Sequence, residues 1–380
     1  MSRKEITRIW LLIWACLAIS LPHSGQGNSL PVAKDLGAHG VTQAELNVLD
    51  SMMLQAIESG IISGCSFLVA HEGEIVYKKA HGAFTTDEQV LLASVSKPFA
   101  ASTIMTLVDQ GRLDLDAPVE NYLPEFHGIE LEGTGQPASP LFTTRHLLAH
   151  CAGFWGNKNI SAEKMDLIRN PSRTLEDAVL GMAQYDLISH PNTAYTYSGS
   201  GYCVAGRVAE IALGGQSFEQ ICQENLFAPL GMDRTSFNPT PSRPFILVGG
   251  SLNSTLDDMA VFAQMQLNGG IYNGTRILSE ASVKEMRRKQ IPEPERNRAY
   301  GLGWFRYKPD ENGLATHVVH GGATGTAFEL NWKRQTVTAF LVRSDGPTVA
   351  DLKNGLNDII EELFPPLDNM PVSFFTGRSL

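Results

Sequence analysis

Strand character in this chain lies towards its two ends and helical character fills the middle, so a single sheet has to be assembled from segments far apart in sequence. Residues 44–60 carry apolar side chains at helical spacing (Leu46, Leu49, Met53, Ile57) and end at Gly60. Two strand-like runs follow at 65–70 and 74–79, joined by His71-Glu72-Gly73, which predicts a hairpin. After Ser94 a long helical pattern (Ala100, Ile104, Leu107, Val108) stops at Gly111, and Pro98 falls in its first turn, where a missing N–H costs little. Between 112 and 245 further helical patterns are broken by loops at Pro118, Pro124, Pro137, Pro140 and Pro191. Strand character returns at 303–307, 317–320, 327–332 and 336–343, and a helical pattern closes the run at about 349–363. This order predicts an α+β fold: an antiparallel sheet flanked by helices, drawn from about 44–85 and 245–365, with a helical subdomain at about 90–245 inserted in it.

The chain has 380 residues, 43% hydrophobic and 18% charged, enough to build a large core without staples. The net charge of −10 is spread out with no basic stripe, which argues against a nucleic-acid partner. Residues 1–27 read as a secretory signal: Arg3, Lys4 and Arg8 precede an apolar stretch from Ile9 to Leu21, and small or polar residues follow. That stretch is roughly 13 residues, short of the roughly 20 a spanning helix needs, so membrane association is expected only through an uncleaved signal. Cys16 has the wrong context for a lipid anchor, because Trp14 stands where a small residue is expected. The expected location is outside the cytoplasm, periplasmic or secreted, with one domain over 28–370 following the signal. Export permits disulfides among Cys65, Cys151, Cys203 and Cys222, and their spacing fits two bridges, one or none. Asn159, Asn253 and Asn273 begin Asn-x-Ser/Thr triplets, which matter only in a host that glycosylates.

Candidate chemistry centres on Ser94-Val95-Ser96-Lys97. Residues three apart share a helix face, so the Lys97 amine can reach the Ser94 hydroxyl, as an activated serine nucleophile requires. No G-x-S-x-G elbow, phosphate loop or dinucleotide fingerprint accompanies it. His146 and His150 are spaced i, i+4, but no H-E-x-x-H glutamate goes with them. His317 and His320 would point to opposite faces of a strand. Neither pair is expected to hold a metal, and no cofactor is expected.

The segments around Ser94 carry a recognisable series of motifs. They are Ala93-Ser94-Val95-Ser96-Lys97-Pro98-Phe99, Leu113-Asp114-Leu115-Asp116-Ala117-Pro118-Val119, Arg145-His146-Leu147-Leu148-Ala149-His150-Cys151-Ala152-Gly153 and Tyr197-Ser198-Gly199-Ser200-Gly201-Tyr202. Pro229-Leu230-Gly231-Met232, Gly249-Gly250-Ser251-Leu252 and His320-Gly321-Gly322 complete the order. In this order the blocks, spanning about 44–365, resemble the serine β-lactamase and penicillin-binding superfamily, specifically its class C β-lactamase-like branch, which includes D,D-peptidases and esterases. The resemblance implies the β-lactamase/transpeptidase fold, with Ser94 as acyl-accepting nucleophile and Lys97 beneath it as base. Tyr197 would relay protons. His320-Gly321-Gly322 would line the site as the third motif, and the N–H groups of Ser94 and Ala323 would form the oxyanion hole.

Two departures bear on substrate. Gly199 stands where the family's second motif usually has asparagine, and His320-Gly321 where the third often has a lysine and a hydroxyl residue. In peptidases and β-lactamases those groups hold the substrate's acylamide and carboxylate. A site lacking the partners of a polar group discriminates poorly in its favour. The expectation is an exported serine hydrolase with a small-molecule ester, amide or peptide substrate, ester cleavage being favoured. A D,D-carboxypeptidase or D-aminopeptidase, a β-lactamase and a non-catalytic cell-wall-binding homologue remain the alternatives.

Overall fold

The structure is a computed structural model that describes residues 28–157, 160–238, 240–291, 299–343 and 347–367. The signal segment with Cys16, and Asn159, lie outside the described residues.

Helix α1 (Gln43–Glu58) opens on a capping box, in which the Thr42 hydroxyl accepts from the Glu45 N–H and the Glu45 carboxylate accepts from the Thr42 N–H. Strands β1 (Gly64–His71) and β2 (Glu74–Gly82) form the expected hairpin, turning through Glu72 and Gly73 at positive φ. Towards the other end of the chain come β3 (Ala299–Tyr300), β4 (Phe305–Pro309), β5 (Ala315–Gly321), β6 (Ala327–Asn331) and β7 (Thr336–Val342). All seven join one antiparallel sheet in the order β2-β1-β7-β6-β5-β4-β3, so the hairpin docks against the last of these strands in sequence. The α+β expectation holds.

The sheet is buried on both faces, and the period-2 alternation of its central strands shows how. Phe67 and Val69 of β1, with Phe340 and Val342 of β7, face one core; it is closed by Leu46 and Leu49 of α1 and by Leu352 and Ile360 of a helix, α2, at Pro347–Leu363. Leu68 and Ala70, with Ala339 and Leu341, face the larger core. Two helices cover that face: the one carrying the candidate lysine (Ser96–Asp109) and a second at Leu256–Leu267. Their Phe99 and Phe262 rings stack 4.1 Å apart, and Phe99 lies 5.9 Å from Phe328 of β6. Fully burying a side chain of this size contributes about 1.5–3 kcal/mol. The Gly199–Ala212 helix packs beside the Ser96–Asp109 helix, and Thr144–Leu148 packs in turn on Gly199–Ala212.

Three findings refine the sequence reading. The strand expected at 303–307 begins two residues later, at Phe305. Gly303 has φ +85°, and a Cβ there would sit 2.8 Å from Ala101 Cβ and 3.0 Å from the Lys97 carbonyl oxygen, so this segment lies against the lysine-bearing helix instead of pairing. A two-residue strand pair not foreseen, Val90–Leu91 with Asn253–Ser254, leads into Ser94. The four cysteines are buried and free, and burial pushes the Cys65, Cys151 and Cys203 thiols up to about 12.

Candidate active site

Ser94 sits in a single tight turn, Ala93–Val95, between the short Val90–Leu91 strand and the helix that begins at Ser96. Ala93 has φ 47°, a left-handed conformation that costs a non-glycine residue energy and persists only when its surroundings impose it. Here they do. The Leu92 N–H donates to the Leu252 carbonyl at 2.8 Å, and the Leu92 carbonyl accepts from Val95 N–H at 3.1 Å and from the Thr326 hydroxyl at 3.0 Å. The Ser96 hydroxyl donates to the Ala93 carbonyl at 2.6 Å and accepts from Leu252 N–H at 3.1 Å. Ser96, second in importance to its neighbours in the motif, is thus the tie that holds the turn.

Ser94 itself is half-buried, whereas Lys97 is 1% exposed. The Lys97 Nζ lies 3.3 Å from Ser94 Oγ and 2.9 Å from the Gly249 carbonyl, and neither partner is a counter-ion. The amine also stands over the rings of Tyr197, at 4.6 Å, and Tyr202, at 5.3 Å. A Cβ at position 249 would come within 3.0 Å of Lys97 Cγ, so glycine there is what lets the chain close over the lysine.

Tyr197 is half-buried with its ring 4.6 Å from the amine, and His150 holds it there. The His150 carbonyl accepts from Thr196 N–H at 2.8 Å, and its ring Nδ1 accepts from Ser198 N–H at 3.1 Å, so one residue grips both neighbours of Tyr197. The two rings lie 4.4 Å apart. Accepting at Nδ1 places the imidazole proton on Nε2, which has no hydrogen-bond partner among the described residues. Burial first, then the nearby Lys97 and the neighbouring His320, hold His150 well below the usual histidine range and therefore neutral. Sequence reasoning assigned His150 only to a structural helix and turn; its one available signal was membership in the Arg145–Gly153 block.

His320 forms the wall behind. It is fully buried in β5, its Nε2 is 3.2 Å from the Tyr300 hydroxyl and its Nδ1 is 3.0 Å from the Gly321 carbonyl. Burial, helped by Lys97, pushes it down to about 3, so its imidazole presents neither a charge nor an open nitrogen. Gly321 and Ala323 are exposed, and Gly322 is half-buried between them. A Cβ on Gly322 would fall 2.1 Å from Thr326 Oγ1 and 2.4 Å from the Leu92 carbonyl oxygen. Glycine at 322 is therefore what brings the end of β5 against the Ser94 turn. The turn from Gly322 to Gly325, closed by a Gly325 N–H bond to the Gly322 carbonyl at 3.0 Å, puts Ala323 at its tip.

Gly199 opens the Gly199–Ala212 helix, capped by the Ser198 hydroxyl. Its missing side chain leaves a gap that another residue enters. The Asn157 Oδ1 accepts from the Gly199 N–H at 2.7 Å and lies 3.2 Å from where a Cβ at 199 would stand, leaving the Asn157 Nδ2 donor group uncommitted by that bond. Asn157 belongs to a loop more than forty residues upstream, and nothing in its local sequence announced it.

The histidine pairs weighed from spacing do not converge. His146 Nδ1 accepts from the Thr143 N–H at a helix start, and His150 is committed to Ser198. His317 pairs with Glu329 at 2.9 Å on the sheet face away from His320.

A strained serine turn, a buried lysine beside it and a tyrosine ring over that lysine, set between a sheet and a helical region, make up the candidate site of a serine β-lactamase-fold protein. The chain belongs to the β-lactamase family, whose model, described as Beta-lactamase, matches residues 49–360. It is 28% identical over 321 residues to penicillin-binding protein 4 of Amycolatopsis lactamdurans, covering 76% of this chain and 77% of that one. It is 32% identical over 204 residues to esterase EstB of Burkholderia gladioli, covering 50% of each. The octameric penicillin-binding protein homologue from Pyrococcus abyssi shares the fold at a TM-score of 0.66 and 24% identity, over 84% of this chain and 79% of that one. Esterases and penicillin-binding proteins are thus both among the relatives.

Proposed function

We propose that this protein is an exported serine hydrolase that cleaves ester bonds through an acyl-enzyme on Ser94. The observation that carries the reading is the buried Lys97 amine 3.3 Å from Ser94 Oγ, with no counter-ion among its two hydrogen-bond partners. Ser94 Oγ forms a bond to the substrate carbonyl carbon while its proton passes to Lys97. The proton reaches the departing alkoxide through Tyr197 as the ester C–O bond breaks, and water then attacks the acyl-enzyme to release the acid and restore Ser94. The developing oxyanion would take the N–H groups of Ser94 and Ala323; each such donor contributes about 3–4 kcal/mol.

The ester preference rests on the third motif. His320 is buried and neutral and position 321 has no side chain, so those positions offer a substrate carboxylate neither a cation nor a hydroxyl. Asn157 supports a second reading. An amide donor beside Gly199 suits a substrate with an acylamide, as in a D,D-peptidase. Export rests on residues 1–27; among the described residues no helix is long and apolar enough to cross a membrane.

The test is turnover of three substrates by purified protein with Ser94→Ala as control: a short-chain aryl ester, a chromogenic cephalosporin, and a peptide ending in D-alanyl-D-alanine. Ser94-dependent turnover led by the ester supports the proposal. Preferred cleavage of the peptide or the cephalosporin overturns the ester preference, and no Ser94-dependent turnover of any of them leaves a non-catalytic binding role.

A further inference from the structure

The sheet has a second cluster of chemically active side chains, at the end away from Ser94. Gly321, Ala327 and Phe340 lie in register at the Ser94 end, whereas His317, Asn331, Thr336 and His71 line up at the other. His71 ends β1, and the hairpin register sets it directly opposite Glu74, the first residue of β2. The segment preceding α1 folds back over this hairpin tip: Ile75 N–H donates to the Pro31 carbonyl at 2.7 Å, and Ala33 N–H to the Ile75 carbonyl at 3.0 Å. That docking delivers His39, the last residue of a single helical turn, Leu36–His39. His39 Nε2 lies 2.9 Å from Glu74 Oε2, and His39 Nδ1 lies 3.1 Å from His71 Nδ1. A Glu72 carboxylate oxygen falls within 4.8 Å of the ring nitrogens.

We propose that His39, His71 and Glu72 form a binding site for a divalent zinc-type cation, which fastens the segment before α1 to the hairpin tip. The spacing fits. Two imidazole nitrogens, each about 2.0–2.1 Å from a tetrahedral metal ion, stand roughly 3.3 Å apart, and the observed 3.1 Å needs only a few tenths of an ångström of adjustment. The orientation fits as well. In the tautomer whose Nε2–H donates a hydrogen bond to Glu74, the His39 Nδ1 lone pair is turned toward His71; a carboxylate behind the ligand histidine is the usual support of a metal-binding imidazole. The surroundings complete the case. His71 is 5% exposed and the His39 side chain 6%, so the nitrogens are shielded, while Glu72 at the turn is exposed and gives the ion an entry path and room for a solvent ligand. Two imidazoles and a carboxylate suit zinc better than calcium or magnesium, which prefer oxygen ligands.

The competing arrangement is a plain hydrogen bond between the two rings. The full chain, stripped with a chelator and dialysed, should bind one equivalent of zinc in a calorimetric titration. Cobalt(II) in place of zinc should give the visible bands of a four-coordinate nitrogen- and oxygen-ligated ion, and zinc should raise the melting temperature. His39→Gln should abolish all three effects, and Glu74→Gln should weaken zinc binding about 10–100-fold. Glu72→Gln, at an exposed position that leaves the fold intact, should weaken it by about 10-fold or more. Zinc binding no stronger in the parent than in Glu72→Gln and His39→Gln, or cobalt bound without those bands, would reduce the cluster to a hydrogen-bonded histidine pair.

Discussion

The two walls of the candidate site are built on different principles. The wall carrying Ser94, Lys97 and Tyr197 is close-packed. Its lysine is buried, its serine turn is fixed by five hydrogen bonds around Leu92, Ala93 and Ser96, and Gly249, Gly303 and Gly322 each stand where a Cβ would strike a neighbour. The facing wall is open. Gly321 and Ala323 are exposed, a Cβ at 321 would find nothing nearer than 3.9 Å, and the Gly199 gap is entered by an exposed loop side chain, Asn157. The difference separates two tasks. Proton transfer needs groups held to fractions of an ångström, and a rigid wall provides that. Substrate recognition can be rebuilt on the open wall without disturbing the packed one.

The sharpest way to break this comparison is to remove the reacting groups. Ser94→Ala should lower ester turnover by about 10⁴-fold or more, and Lys97→Met, which keeps the buried chain's bulk, by about 10²–10⁴-fold, both measured as kcat. A smaller loss from Lys97→Met than from any change on the open wall would invert the assignment.

Adjacent glycines test the boundary between the walls. Gly322→Ala forces its Cβ against Thr326 and the Leu92 carbonyl, so kcat should fall about 10²-fold as the end of β5 is displaced, and stability should fall by about 1–3 kcal/mol in denaturant unfolding. Gly321→Ala, with no atom closer than 3.9 Å, should change both little.

Buried neutral histidine on the packed wall has a cost that pH exposes. The His320 imidazole is pushed from 6.5 down to about 3 by burial and by Lys97. Below about pH 6.5 the unfolded chain takes up a proton there that the folded chain refuses. Stability from this group therefore falls as pH falls, by about 1.4 kcal/mol per unit, until about pH 3; above 6.5 the group contributes no slope. Asp258, pushed up to about 6 by burial, acts with the opposite sign between its ordinary 3.8 and that value, so the test is a difference. Urea midpoints of the parent and His320→Gln, compared across the acid range, should converge as the pH is lowered.

The smallest effect belongs to the open wall. Asn157→Ala should leave kcat on a simple aryl ester unchanged and weaken kcat/KM for an acylamide-bearing substrate about 3–10-fold, the worth of one hydrogen bond. An equal loss on both substrates would show that Asn157 supports the wall and not the substrate.

The same division decided what the sequence could disclose. The central strands were legible because 65–70 is a short apolar run ended by the His71-Glu72-Gly73 turn signal, a pattern that survives whatever the strand pairs with; which of Phe67, Leu68, Val69 and Ala70 faces which core shows only in the structure. The Ser94/Lys97 spacing was legible because one helical turn enforces it. What stayed hidden depends on contacts between distant segments. The start of β4 moved because Gly303 packs against Lys97 and Ala101, and the Val90–Leu91 strand exists only by pairing with residues 253–254. His150 gave no periodic signal for its hold on both sides of Tyr197. Asn157 carried none either, because a loop side chain reaching a gap forty residues away leaves no local pattern.

The most direct measurement is intact-mass analysis and peptide mapping after incubation with a fluorophosphonate ester probe. The buried lysine beside an over-constrained serine turn predicts a single adduct, on Ser94, absent in Ser94→Ala and strongly slowed in Lys97→Met. No adduct, or an adduct that persists in Ser94→Ala, would contradict Ser94 as the nucleophile.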